Sequence, residues 1–246
     1  MEHKCTFSIV TVSYNCAGTI GKTIESVMRQ DYAGKEYILI DGGSTDGTAE
    51  LVKTHRNDFS YWCSEPDGGI YQGMNKGIAQ AQGEWIIFMN AGDTFASTHV
   101  LSDIASYINK GEYDIVYGDI LTGKNGTPKL KPASEPCNKQ RMYFCHQAAF
   151  ARTALLKQMP FDTRFNMSAD FHFFKRCYLS GYRFRHVPVT VAVYDPHGVS
   201  NRQRIKGLRD NIRVIRELDK GWDKIKFLLK LYYVISWIKL TKPMSH

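Results

Sequence analysis

The stretch Glu84-Trp-Ile-Ile-Phe-Met-Asn-Ala-Gly-Asp93 most restricts what this chain can become. Its five consecutive apolar residues, Trp85 to Met89, are too few for most helices and are rich in isoleucine and aromatics. They read as a strand buried on both faces. The run stops at Asn-Ala-Gly-Asp, where the chain must turn and present a carboxylate. In an open α/β sheet ligands bind at the carboxyl ends of the strands, which puts Asp93 at the mouth of the sheet. Asp93 reads equally well as a helix N-cap or turn residue, and this stretch alone does not separate the two.

The rest of the chain repeats the pattern. Phe7–Ser13, Tyr37–Asp41, Tyr61–Ser64 and Asp114–Asp119 read as further strands. Between them, apolar residues recur at helical spacing: Ile20, Ile24, Val27 and Met28, then Ile70, Met74, Ile78 and Ala81. Further helices are expected over 48–55, 100–108 and 168–178, and a late strand over 182–193. Strands alternating with helices at this pitch predict βαβ units and a mostly parallel sheet with right-handed crossovers. Residues 122–142 lose the periodicity and read as a hairpin or loop.

The chain has 246 residues and no run of 18 apolar residues, so no membrane-spanning helix is expected. The N-terminus leads straight into a strand without the apolar core of a secretory signal. Six cysteines lie scattered without a C-x-x-C pair, which points to a reducing compartment and away from a zinc or disulfide framework. Charge is unevenly placed. Residues 200–246 hold twelve Lys and Arg against four acidic residues, an excess equal to the +8 of the whole chain. The expected division is a neutral catalytic domain over 1–200 and a basic helical extension over 201–246 that meets an anionic partner.

Three carboxylates, Asp41, Asp67 and Asp93, stand at or just past strand ends, each beside glycine. Glycine lets backbone approach a ligand closely. This set suits a nucleotide, with one carboxylate accepting from a base or ribose and another holding a divalent metal on a diphosphate. No G-x-x-x-x-G-K-[ST] or G-x-G-x-x-G is present, so phosphate charge must be met by metal and by Lys or Arg. Asp46 reads as a helix cap, Asp119 as a turn residue or acceptor contact, and His146 as structural.

Six motifs then occur in one order. They are Phe7–Ser13, Asp41-Gly-Gly-Ser-Thr-Asp-Gly47, Ser64-Glu-Pro-Asp-Gly-Gly-Ile-Tyr71, Met74-Asn-Lys-Gly-Ile78, Met89-Asn-Ala-Gly-Asp93 and the later set His146-Gln147, Ala169-Asp170 and His197–Ser200. Together they resemble family 2 glycosyltransferases of the bacterial surface-polysaccharide type over residues 5–200. The resemblance implies a GT-A fold, a nucleotide-sugar donor, first of all a UDP-sugar, and inversion at the anomeric carbon. It implies that Asp41 contacts the nucleobase with Thr11 and Ser13 lining the same pocket, that Asp67 and Lys76 serve the donor, and that Asp93 binds donor and metal. It further implies that His197 completes a Mn²⁺ or Mg²⁺ site and that Asp170 is the catalytic base. The chain departs from the pattern in having Asn90 and Gly92 where members often read Leu-Asp-Ala-Asp-Asp. An inverting transfer needs one base and a cation for the leaving diphosphate. A hydrolase would need two carboxylates about the bond.

The tail helix is apolar over most of its circumference, with lysines and aromatics on the remainder. It suits an interfacial helix on an anionic bilayer, or one packed on the body or on a second copy. The expectation is a peripheral enzyme on the inner face of a bacterial cytoplasmic membrane. It would act on a lipid-linked saccharide, without nucleic acid, as a single chain or a homo-oligomer. A nucleotidyltransferase, or a non-catalytic nucleotide- or nucleic-acid-binding protein, stays as the alternative.

Overall fold

Along the first strand, side chains alternate between two separate cores. Phe7 and Ile9 point to one face, Val10 and Val12 to the other. The neighbouring strands do the same: Tyr37 and Leu39 against Ile38 and Ile40, and Trp85 and Ile87 against Ile86 and Phe88. Both faces are dry, which is why these strands are continuous apolar runs rather than alternating ones. The structure is a computed structural model and describes residues 6–108, 112–123, 127–196, 198 and 203–241.

The strands are β1 (Phe7–Ser13), β2 (Lys35–Asp41), β3 (Tyr61–Ser64), β4 (Trp85–Phe88), β5 (Thr94–Phe95), β6 (Ile115–Thr122), β7 (Lys129–Lys131), β8 (Ala149–Arg152) and β9 (Phe184–Tyr194). They form one sheet in the order β3-β2-β1-β4-β8-β6-β9-β5, with β7 hairpinned onto β6. The first four strands pair in parallel. Next, β8 enters antiparallel between β4 and β6, so β6 still runs with β4, and β9 runs parallel to β6. The chain order reverses beside β1, which has β2 on one side and β4 on the other. That is where a crevice opens at the carboxyl ends of an α/β sheet.

The helices are α1 (Ala17–Met28), α2 (Thr48–Thr54), α3 (Ile70–Gln80), α4 (Val100–Ile108), α5 (Thr153–Gln158), α6 (Ala169–Leu179), α7 (Arg204–Leu218) and α8 (Gly221–Thr241). One face of the sheet is covered by Ile20, Ile24 and Val27 of α1 and by Val100, Leu101 and Ile104 of α4. The other is covered by α3, α5 and α6 through Met74, Ile78, Leu155, Phe173 and Phe174. Helix α3 lies close on β1 because residue 77 is glycine: a Cβ there would sit 2.4 Å from Cγ1 of Val10.

The basic extension begins as part of the body. Val214 of α7 is buried in the same core as Phe165 and Phe171. Asp210 accepts the backbone N–H of Met167 at 2.8 Å, and the Ser168 hydroxyl reaches Oδ1 of Asn211 at 2.7 Å. The step in charge near residue 200 is therefore not a gap in packing. Helix α8 then lies along α7, with Phe227, Leu231 and Ile235 against Ile212 and Ile215. At the corner between them, Asp219 pairs with Lys175 of α6 at 2.9 Å, and both side chains are buried.

Candidate active site

Strand register builds the first part of the site. Ser13, Asp41 and Ser64 end β1, β2 and β3 at the same level. Both serine hydroxyls donate to Asp41, at 2.9 and 2.7 Å. The hydroxyl and N–H of Ser44 and the N–H of Gly43 donate as well. Burial pushes the Asp41 carboxyl upward, but the donors from Ser44, Ser64 and Ser13 outweigh it and hold the group below its ordinary value. Asp41 is 0% exposed, so its main visible work is to shape the Gly42–Ser44 loop. A Cβ on Gly42 would lie 3.2 Å from the Asp67 carboxylate, so the glycine makes room for it. Asp67 also accepts the N–H of Gly69 at 2.8 Å, one residue before α3 begins.

Helix α3 carries this end of the site to the next. Tyr71, in its first turn, donates its hydroxyl to Oδ1 of Asp170 at 2.7 Å. Asp170 lies in the first turn of α6, and its other oxygen, Oδ2, meets Nδ1 of His146 at 2.9 Å. The far nitrogen of that ring, Nε2, is 3.2 Å from Nδ2 of Asn90. Burial works against the charge on Asp170. His146 and Tyr71 more than offset it and keep the carboxyl below its usual range. Burial raises the Tyr71 hydroxyl well above its ordinary value, and the charge on Asp170 raises it further.

The residue after His146 reaches the other acid. Gln147 donates Nε2 to Oδ2 of Asp93 at 2.9 Å, while its own oxygen accepts from the Cys145 thiol. The remaining oxygen of Asp93 accepts the backbone N–H of Asp195 at 2.8 Å. Asp93 is 4% exposed. Burial lifts its carboxyl to about 6, and the charge of Asp195 adds to the rise against the hydrogen bonds. Gly92 explains one departure from the family pattern. Its φ of +103° lies in the region that favours glycine, and a Cβ there would sit 3.1 Å from Oδ2 of Asp195. The space that a side chain at 92 would need is next to the Asp195 carboxylate.

Several residues fall elsewhere than expected. Thr11 does not line a pocket: it is 0% exposed, donates to the Met89 carbonyl at 2.8 Å and pairs with the Tyr37 hydroxyl. Lys76 is engaged with Glu65 at 2.8 Å. Asp119 holds the Ala133 N–H and His186, an internal contact of the sheet. Asp46 accepts from Thr48 and also from the N–H of Ala17, so it braces the starts of two helices. His197 lies outside the described residues. Asn90, His146, Gln147, Tyr71 and Asp195 join the site without having been singled out for it. Of these, all but Asp195 lie within the ordered motifs, which marked the stretches but not these side chains.

The Asp93 region offers oxygen donors of the kind a hard divalent cation takes, with two carboxylates near enough for one to raise the other. Elsewhere, Asp162, His172 and Glu217 bring ligand atoms within 4.8 Å of one another. There Arg164 already pairs with both Asp162 and Glu217, so that cluster carries its own cation.

A family profile described as Glycosyl transferase family 2 matches residues 8–182. A PGL/p-HBAD biosynthesis glycosyltransferase of Mycobacterium tuberculosis is 30% identical over 251 residues, 94% of this chain and 96% of the relative. A cholesterol galactosyltransferase of Borreliella burgdorferi is 34% identical over 98 residues, 39% of this chain and 27% of its own. Among solved structures, S. aureus TarS residues 1–349 with UDP superimposes with a TM-score of 0.68 at 21% identity, covering 97% of this chain and 76% of that one. The mannosyltransferase PcManGT of Pyrobaculum calidifontis, with GDP-Man and Mn²⁺, gives 0.69 at 16% identity, covering 99% and 77%. These two share the GT-A fold with this chain.

Proposed function

The chain belongs to glycosyl transferase family 2, and from that premise we propose that it moves a sugar from a nucleotide donor, a UDP-sugar in our reading, onto a hydroxyl of a lipid-linked saccharide with inversion. The observation that carries this reading is the double clamp on Asp170 beside the Asp93 cluster. In a single displacement the acceptor oxygen bonds to the anomeric carbon as the bond to the nucleoside diphosphate breaks. Asp170 takes the acceptor proton. Ser13, Asp41 and Asp67 form the nucleoside end, with Asp41 acting chiefly through the loop it holds. Asp93 and Asp195, with His197 nearby in sequence, would hold a divalent cation, Mn²⁺ or Mg²⁺. When bound it would neutralise charge on the departing diphosphate. Lys76 would serve the donor only after leaving Glu65.

The acceptor class rests on α8. No helix among the described residues is long and apolar enough to cross a membrane. Yet the side of α8 turned away from α7 carries exposed Trp222, Ile225, Leu229, Tyr233, Trp237 and Leu240. Lys230 and Lys239 border this stripe, and Lys226 lies within it. An apolar face rimmed by lysine fits an anionic bilayer, into which rings and leucines sink while ammonium groups meet headgroups. Two copies packed through it would set like charges against each other. One matching relative is named for transfer to cholesterol, itself a lipid. We place the enzyme on the cytoplasmic face, in keeping with free thiols at the five described cysteines. Its product would feed a surface polysaccharide.

Thermal unfolding with UDP, GDP or CDP, each with and without Mn²⁺, tests the donor site. A ligand at 100 times its Kd adds about 2.7 kcal/mol. Stabilisation by one nucleotide only with metal supports the reading and names the donor class. No response to any of them overturns it.

A further inference from the structure

We infer that His146 is a positioning residue for the base Asp170, and that Asn90 sets the state in which it works. The inference rests on the reading of Asp170 given above. An ionised carboxylate only accepts, so the 2.9 Å contact from His146 requires the proton on Nδ1. Nε2 of the same ring faces the amide nitrogen of Asn90 at 3.2 Å. With the amide nitrogen, which only donates, turned to the ring, Nε2 presents its lone pair and the ring carries its single proton on Nδ1. The opposite orientation would give Oδ1 of Asn90, buried without a partner among the described residues, a second ring proton to accept.

The arrangement gives Asp170 one donor on each oxygen, Tyr71 on Oδ1 and His146 on Oδ2. The carboxylate plane is fixed from two separate elements, and each oxygen keeps a lone pair for an incoming hydroxyl proton. With a single proton on the ring, both partners orient the base without cancelling its charge. An aspartate at position 90 would change that. It would accept from Nε2, draw a second proton onto the ring and set an imidazolium against Asp170, which would weaken it as a base. The titratable groups that act on this pair are Tyr71 from α3, Cys145 beside the ring, and Asp93 after β4. Gln147 carries no charge and ties the same turn to Asp93.

The test compares steady-state kinetics and pH profiles of His146→Ala, His146→Asn and Asn90→Asp, with Asp170→Asn as reference. In His146→Asn the amide nitrogen takes the place of Nδ1. His146→Ala should lose about 10- to 100-fold in kcat with the donor KM within about twofold. His146→Asn should recover most of that loss. Asn90→Asp should fold and lose kcat at neutral pH. If Asp170→Asn is inactive but His146→Ala keeps wild-type kcat, the inference fails while the base stands. Equal losses in the alanine and asparagine variants, or wild-type kcat in Asn90→Asp, would also overturn it. If His146→Ala does not fold, the other two variants decide. If Asp170→Asn stays active, the reading of the base itself is wrong, and the inference falls with it.

Discussion

Gln147 hands its amide to Asp93 at 2.9 Å, one residue after His146 has closed on Asp170. Two adjacent residues in the short turn before β8 thus hold the two acids to which the proposed mechanism gives the chemistry. The amide cannot turn over freely, because its oxygen is engaged by Cys145. Gln147→Ala should therefore loosen the Asp93 side and leave the base in place. We expect the Mn²⁺ concentration for half-maximal stabilisation in the presence of nucleotide to rise about three- to tenfold, a range set by outer partners of metal ligands. Asp93→Asn should abolish the metal response, read by the same melting assay.

Asp170→Asn keeps the size of the side chain and removes the proposed base. Turnover should fall about 10²- to 10⁴-fold, the usual share of a general base. Nucleotide-dependent stabilisation should persist. Loss of nucleotide binding in place of turnover would assign Asp170 to the donor site.

Asp41 predicts an acid-stability signature. Its carboxyl is held below the ordinary value of about 3.9 by the surrounding donors. A depressed pKa contributes stability that is present above the unfolded value and lost as pH falls through the folded one. Melting temperature should therefore decline as pH drops below about 4. Asp41→Asn should be less stable at neutral pH and flatter across that window. Melting curves from pH 3 to 7 check it.

The outward stripe of α8 can be tested without disturbing its packed side. Replacing Trp222, Trp237 and Leu240 by serine should cut binding to anionic vesicles at least about tenfold, since each buried large side chain is worth about 1.5–3 kcal/mol. Sedimentation with vesicles of anionic or zwitterionic lipid measures this. Unchanged binding, or equal binding to both lipids, would remove the membrane from the proposal.

Gly77→Ala probes the contact of α3 with β1. The new methyl would fall 2.4 Å from a branch of Val10, which has little room to yield. Overpacking of this kind costs about 1–3 kcal/mol. In a chain of this size the melting temperature should fall by several degrees, about 2–4 °C per kcal/mol. A Val10→Ala partner should restore part of it.

The parts that were legible in the sequence share one physical cause. Strand β1 begins and ends where its apolar run does, and β4 fills the Trp85–Phe88 part of its own. Burial on both faces writes a strand's whole length into its composition. Direction is not written there, so nothing in Ala149–Arg152 announced that β8 would run antiparallel. Thr11 was assigned to the pocket from its place in a motif. It points the same way as Ser13 but lies two residues deeper, about 6–7 Å down the strand, where Tyr37 covers it. His146 and Asp195 approach their acids across long stretches of chain, and no spacing rule connects positions brought together only by the fold.

The buried pair of Lys175 and Asp219 has a practical consequence for anyone wishing to shorten or graft this protein. A chain that stops before Asp219 strands an ammonium inside the helix that bears Asp170, and loss of one partner of such a pair costs about 3–5 kcal/mol. The extension is therefore not a cassette. A transplant between relatives would have to carry the aspartate with the lysine that answers it, and a loss of activity after trimming would report a broken joint rather than a lost address.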